Sequence, residues 1–466
     1  MKDDKKLNDT SYNIGVKMYE LMTELFPICR SITGNGVRKT LQIISKEIPL
    51  EIHEIPTGKN VFDWEIPKEW NVNDAYIKAP NGQKIVDFQK SNLHIISYSI
   101  PIHKKISLDE LKEHIHTLPN KPDLIPYHTS YYNENWGFCM THKQFLELKE
   151  GEYEVFIDSK LDKGSLTYGE FLVSGKSKEE ILITCYICHP SLCNDNLSGV
   201  TLVTYLAKKL QKLENYYSIR FLFIPETIGA IAWLSLNEEK LLQIKHGLVV
   251  TCVGTSAKFT YKKSRKGTNT IDKTVIDVLK NSNIDSQVVD FFPYGSDERQ
   301  FCSPGINLPM GSLYRSDTKV IDFSEYHTSG DNFSIITKKA LGETFKIYLE
   351  IISELEKNRK SDNRKLQINF EKNKKKDLMY LNLFPKCEPQ LDKRGLYRKI
   401  GGVCDLSNKE IFNQLTYLWI LNYSDGNYSL EEIANLSNID LETIKESAKL
   451  LETRKILKKY ECEKFV

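Results

Sequence analysis

Three polar clusters in this chain follow apolar runs and hold side chains able to do chemistry. HPSLCNDNLSG comes after ILITCYIC, PETIG comes after IRFLFI, and EYHTSGDN stands much further on. They present His189 and Asp195, then Glu226, then His327. Imidazole and carboxylate suit Zn²⁺ at roughly 2.0–2.2 Å, and a catalytic zinc keeps a position open for water, whose pKa falls to about 7. A neighbouring carboxylate can take the water's proton and hand it to a leaving group. On this reading His189, Asp195 and His327 hold the metal, Glu226 is the base, and Asn194 or Ser198 supports the ligands from behind. Taken singly, each has a plainer role. Asp195 suits the cap of a helix beginning near Ser198, and His327 suits a turn. Glu226 is harder to assign structurally, because a carboxylate after an apolar strand and a proline costs desolvation energy unless paired or metal-bound. The argument lies in their convergence.

The same region contains CYICH, the letters of a c-type haem attachment site. Covalent haem attachment calls for export, and MKDDKKLNDTSYNIGVKMYEL is charged from the outset, with no signal-peptide core and no run long enough to span a membrane. A structural zinc held by Cys185, Cys188 and Cys193 would want a second ligand pair at matching spacing, and no other CxxC or HxxxH exists. Buried, unreactive thiols are the expectation. Ten cysteines scattered from Cys29 to Cys462 fit a reducing compartment, and a cytoplasmic location is expected.

The elements that must position these residues can be read from periodicity. Residues 14–49 read as helix, Gly-containing turn and helix. Residues 50–175 change to short β-prone, aromatic-rich runs punctuated by Pro, Asn and Gly. From residue 179 apolar strands alternate with helical stretches, the signature of an α/β sheet covered on both faces, where sites form at strand ends. A Lys-rich stretch at 356–377 reads as a solvated linker. Beyond it three short helical patterns, with Ser429 three residues before Glu432, suggest a winged helix-turn-helix module.

The motifs HPSLCNDNLSG, PETIG, YGSDERQFCSPGINLP and EYHTSGDN resemble those of the M28-type zinc aminopeptidases and glutaminyl cyclases, specifically the bacterial DUF4910 group. RSITGNGVRKT resembles the N-terminal motif of that group, the β-rich stretch its inserted DUF2172 domain, and the tail its winged-helix domain. The resemblance implies a mixed-sheet, three-layer zinc-peptidase core from 1–57 and 160–365, an inserted β-rich domain at 58–159, and a winged-helix domain at 375–466. It also implies His189, Asp195 and His327 as ligands of one or two zinc ions, with Glu226 as general base. Asp297 falls in a stretch like SDHxxF, with Glu298 where that stretch carries His. Two departures matter. Thr227 stands where a second, ligating carboxylate follows the base, and Thr251 where a further ligand Asp is expected. Their loss points to fewer carboxylates and a single metal, with either Glu226 itself ligating the ion or His189, Asp195 and His327 holding it as the usual three protein ligands.

Substrate contacts are expected from PYHTSYYNENWGF, with Tyr127, Tyr131, Tyr132, Trp136 and His128, where rings with polar tips suit a peptide or a sugar. Tyr314 and Arg315 in GSLYRSD are further candidates, Arg315 as a carboxylate or phosphate clamp. Lys plus Arg number 64 against 62 Asp plus Glu, so no large field attracts polyanions or acidic membranes. The last helical stretch interleaves Glu442, Glu446 and Glu452 with Lys445, Lys449, Arg454 and Lys455, which favours protein packing or a homo-oligomer over nucleic acid. The expected protein is a zinc-dependent, aminopeptidase-like amide hydrolase acting on a small peptide or modified sugar, linked through the resemblance to surface-polysaccharide biosynthesis. The alternatives are a one-metal acyl-transfer or cyclising enzyme, and a non-catalytic binding or regulatory protein on a peptidase fold.

Overall fold

Alternation within the central strands decides the layering. In Glu180–Tyr186, Ile181, Ile183 and Cys185 enter one apolar core while Leu182 and Tyr186 enter another. Ser218–Ile224 divides in the same way, with Ile219, Phe221 and Phe223 on one side and Leu222 and Ile224 on the other. Strands buried on both faces need cover on both, which is why they read as unbroken apolar runs. The computed structural model describes residues 2–130, 132–321, 323–358, 378–402 and 409–460. Tyr131 and most of the Lys-rich stretch lie outside the described residues.

These strands sit inside an eight-stranded mixed sheet. Its order is Glu51–Pro56, Ser165–Val173, Ser218–Ile224, Glu180–Tyr186, Ile244–Val250, Met310–Arg315, Phe259–Lys262 and Ser286–Val289. From Ser218–Ile224 to Met310–Arg315 the neighbours run parallel, so their carboxyl ends share one edge. Helices Lys2–Leu25, Gly199–Leu210, Thr270–Asn281 and Lys338–Lys357 cover one face, and Ile228–Leu236 lies on the other. Lys2–Leu25 packs closely on Lys338–Lys357. A Cβ on Gly15 would come within 1.9 Å of the Lys338 carbonyl oxygen, so the crossing requires glycine there.

A second, four-stranded antiparallel sheet has the order Lys84–Asp87, Glu69–Lys78, Glu152–Asp162 and Ile102–Ser107. At the C-terminal end, strands Asp425–Ser429, Met379–Asn382 and Leu457–Lys459 form a three-stranded sheet against helices Lys409–Tyr423, Leu430–Ser437 and Leu441–Thr453. The Ser429 side chain accepts from the Glu432 backbone and the Glu432 side chain bonds back, the reciprocal cap that Ser and Glu at this spacing provide. Among the described residues no helix is long and apolar enough to cross a membrane.

Candidate metal centre

Each chemically apt residue leaves the carboxyl end of a strand in the parallel part of the sheet. His189 follows Glu180–Tyr186, Glu226 follows Ser218–Ile224, Thr251 follows Ile244–Val250, and His327 lies in the loop after Met310–Arg315. Asp195 sits in a widened turn, Cys193–Ser198, that runs into helix Gly199–Leu210. The parallel arrangement thus brings together residues that the sequence holds far apart.

His189, Asp195 and His327 are all buried, and one ligand atom from each lies within 4.8 Å of the others. Asp195 Oδ2 is 2.9 Å from His327 Nε2 and 3.8 Å from His189 Nε2. Asp195 Oδ2 and both ring nitrogens of His327 are nonetheless without a hydrogen bond. Buried polar atoms are normally satisfied, so such a group needs a partner of another kind. Burial works against charge on Asp195, but the two imidazoles and the Tyr186 hydroxyl hold its pKa down at about 2. Burial also pushes His189 down to about 4, which leaves its ring neutral and able to ligate. Two imidazole nitrogens and a carboxylate oxygen are a donor set that zinc accepts, and the residues present fit the ion.

Surrounding groups fix these ligands. The Tyr186 hydroxyl donates to Asp195 Oδ1 and lies 2.6 Å from Thr251 Oγ1. Asp331 accepts the backbone N–H of Asn194 at 2.6 Å and of Asp195 at 2.9 Å. Asn194 uses its side-chain oxygen to accept from Gly254 N–H, and the Ser198 hydroxyl donates to the Asn194 carbonyl. Both are structural supports of the turn. Tyr326 stacks on His327 with centroids 3.9 Å apart, and Tyr127 meets the same ring edge-on at 5.4 Å. Arg30, from the RSITGNG motif, is buried and donates to the carbonyl oxygens of His189 and Pro190, both at 2.8 Å. The RSITGNG motif stands out in the sequence, but the task of Arg30 does not. Its signal was an arginine inside an otherwise apolar and small-residue stretch.

Glu226 lines the same cavity as His189 and His327, about 160 Å³ in volume. Burial, with Asp297 and Asp195 as further negative neighbours, raises its pKa well above the usual carboxylate range. Asp297 is itself pushed up to about 7 by burial. The two Thr departures have definite partners. Thr227 donates its N–H to Asp297 Oδ1 at 2.7 Å and accepts from Arg299 Nη2 at 3.1 Å, in a backbone conformation with φ 62°. Thr251 Oγ1 faces Tyr186 and Cys252. Glu298, in place of the resemblance's His, pairs with Lys262 at 2.5 Å, both side chains 2% exposed.

Of the expected substrate contacts, Tyr132 lines the cavity. Trp136 does not: it is buried and stacks on His114 with centroids 3.6 Å apart. Arg315 is also elsewhere, donating to Thr344, the Ala257 carbonyl and Glu343 and lying over the Phe259 ring, so its cation ties the sheet to helix Lys338–Lys357. Tyr314 lines a small void of about 30 Å³ that Glu226 also borders, with its hydroxyl on the Lys319 carbonyl. Strand alternation sends these two neighbours to opposite faces, Arg315 towards helix Lys338–Lys357 and Tyr314 towards the small void. Cys185, Cys188 and Cys193 are buried free thiols pushed upward by burial, and the ligand cluster found among the described residues is not theirs.

The large mixed sheet has the fold of the M28 zinc aminopeptidases, as two solved structures show, and a winged-helix unit follows it. The zinc aminopeptidase BSAP from Bacillus subtilis is 13% identical, covering 76% of this chain and 96% of its own, with a TM-score of 0.56. An M28 peptidase precursor from Shewanella amazonensis is likewise 13% identical, over 78% and 99%, with a TM-score of 0.52. The "Putative polysaccharide biosynthesis protein with aminopeptidase-like domain" of Clostridium acetobutylicum is 52% identical, over 98% of this chain and 100% of that protein. The family described as "Domain of unknown function (DUF4910)" matches residues 19–358, and a winged helix-turn-helix family matches 378–459. The chain belongs to the DUF4910 family.

Proposed function

We propose that this protein is a zinc-dependent amide hydrolase of aminopeptidase type that uses one metal ion. The observation that carries this reading is the buried His189, Asp195 and His327 cluster, with its unsatisfied atoms, on a cavity that Glu226 also lines. Zinc held by these three side chains supplies Lewis acidity towards water and carbonyl groups. Glu226, on the same cavity as His189 and His327, takes a proton from water and returns it to the leaving nitrogen. Tyr127 and Tyr326 hold the imidazole planes and keep bulk water off the ligands. The one-ion count rests on Thr227 and Thr251, neutral side chains with partners of their own where further carboxylate ligands are expected. The same count keeps a cyclising activity on N-terminal glutamine as the second reading. The modified-sugar alternative draws on the polysaccharide name of the Clostridium acetobutylicum relative, and the free buried thiols fit a reducing compartment such as the cytoplasm.

Elemental analysis of purified protein should give one zinc per chain. A panel of aminoacyl anilides, N-terminal glutaminyl peptides and N-acyl amino sugars then identifies the bond broken. Glu226→Gln should keep the zinc and lose about 100-fold or more of turnover. Full-rate hydrolysis by that variant would remove Glu226 from the base role, and a protein that takes up no zinc would end the proposal.

A further inference from the structure

The cavity beside the ligands is not built by the sheet alone. Its lining includes Trp64 and Tyr132 from the β-rich stretch, and Leu391, Tyr397, Gln414 and Leu415 from the C-terminal unit. By sequence alone that unit reads as a separate module. The structure joins it to the site through a buried ion pair: Arg299 Nε donates to Glu388 Oε2 at 2.9 Å, with side chains 12% and 10% exposed. The same guanidinium donates from Nη2 to Thr227, the residue after the proposed base, and from Nη1 to the Gly295 carbonyl. Trp64 Nε1 donates to the Glu388 carbonyl at 2.8 Å, and Glu388 N–H donates to Gln300 Oε1 at 3.0 Å.

The wall is also closed by backbone pairing. Gly401–Gly402 forms a short antiparallel ladder with His128–Thr129, beside Tyr127. Gly402 has φ 99°, and a Cβ there would fall 2.1 Å from the Tyr127 carbonyl oxygen, so this contact admits glycine alone. In the docked arrangement the two charges and the ladder groups satisfy one another, and removing one ion while the unit stays docked would leave the other with little water and no counter-charge.

We propose that the segment 388–402, with Gln414 and Leu415 of the following helix, is a fixed specificity wall of the metal centre. In this arrangement Glu388 is a positioning residue that acts on the Glu226–Thr227 turn through Arg299. The winged-helix unit thereby belongs to the catalytic cavity, and the face it presents with Trp64 and Tyr132 selects an apolar side group on the acyl portion of the substrate. The selectivity rests on the hydrolase reading above; the wall and its coupling to residue 227 do not.

Hydrogen exchange on the full chain tests the coupling without metal or substrate. In Glu388→Gln and Glu388→Ala, amides of 226–230 and 127–130 should exchange about 10-fold faster or more. Helix Leu441–Thr453 should keep wild-type protection, which shows that the unit itself remains folded. Unchanged exchange at 226–230 and 127–130 in both variants would overturn the wall. Binding then tests selectivity: zinc-loaded wild type should bind L-leucine hydroxamate at least 10-fold tighter than glycine hydroxamate, a preference that Leu415→Ser and Tyr397→Ala should collapse at unchanged zinc content. A preference that survives both substitutions overturns the selectivity. Failure of the wild type to bind zinc or either hydroxamate would sink the hydrolase reading and the selectivity built on it, while the exchange result still decides the wall.

Discussion

Tyr186 sits at the inner end of the ligand set. Its hydroxyl donates to Asp195 Oδ1 and faces Thr251 Oγ1 at 2.6 Å, and its ring lies 5.0 Å from that of His189. Asp195 therefore has one oxygen held by the protein and one left for an ion, and the hydroxyl sets which way Oδ2 points. Groups that orient metal ligands typically contribute 10–100-fold in affinity. Tyr186→Phe removes the donor while keeping the ring that fills the core, so zinc affinity measured by chelator competition should fall by about that factor with little change in the unfolding midpoint. Unaltered affinity would mean that Asp195 is aimed by its backbone alone, through the Asp331 contacts to 194 and 195. Arg30 plays the corresponding part for His189 from the backbone side. Its pKa is lowered to about 10 by burial, yet it stays charged at neutral pH and its fork matches carbonyl oxygens of adjacent residues.

Elements are held in register by partly buried ion pairs, and Arg38 shows how. It extends from helix Asn35–Ile44 and donates to both oxygens of Glu69, at 2.7 and 2.6 Å, and to Glu54 Oε1 at 2.9 Å. One guanidinium thereby joins helix Asn35–Ile44, the first strand of the large sheet and the longest pairing of the second sheet. The Arg38 hydrogen bonds outweigh burial and hold the Glu69 pKa at about 2. Folding thus disfavours protonation of Glu69, so the stabilisation is fully present above the ordinary value of 4.5 and is lost as pH falls through about 2. Arg38→Met should lower stability in urea unfolding by about 1–2 kcal/mol at pH 7. The gap between wild type and variant should narrow steadily below pH 4.5. A gap independent of pH would assign the loss to packing by the Arg38 stem.

The same element scale explains what the sequence could reveal. His189 and Glu226 stood out because each follows an apolar strand at its carboxyl end, a local pattern with a defined spatial meaning in a parallel sheet, whereas His327 lies in a loop beyond Met310–Arg315 and stood out by its motif. Tyr314 and Arg315 belong to such a strand too, but which face a strand residue meets depends on pleat and register with its neighbours, and Arg315 faces helix Lys338–Lys357. Trp136 looked like a binding platform from composition alone, and its ring is spent on His114. Glu388 lay beyond reach for another reason. Its partner Arg299 is distant in the chain, both occur in ordinary polar surroundings, and nothing local distinguishes a buried ion pair from two solvated charges.

At the scale of the whole molecule, the winged-helix unit is fastened by ion pairs, most of them partly buried. Arg265 reaches Asp425 at 2.6 Å and the Asn422 side chain at 2.9 Å, while Arg394 and Lys393 converge on Asp63, whose carboxylate also accepts Gln390 N–H. Together with Arg299 and Glu388, these contacts link the unit to the large sheet and to the β-rich stretch. In helix Leu441–Thr453, Lys445 is paired with Glu442 at 2.8 Å, and the chain as a whole carries a net charge of only +2. A tethered DNA-reading module would unfold independently of its neighbour, whereas a docked structural part would share its neighbour's transition. Breaking one partner of a partly buried pair leaves an uncompensated charge, at a cost that solvent screening holds below the ~3–5 kcal/mol of a fully buried pair. We therefore expect one cooperative transition in urea for the full chain, seen identically by far-ultraviolet circular dichroism and by tryptophan fluorescence, and no retention of duplex DNA at low salt. Asp63→Leu should strand Arg394 and separate an early step, with exchange rising first across 388–402, from the main unfolding of the sheet. Two transitions already present in the wild type would show that the unit docks too weakly to shape the cavity, because a wall that leaves before the core unfolds cannot hold Thr227 in place.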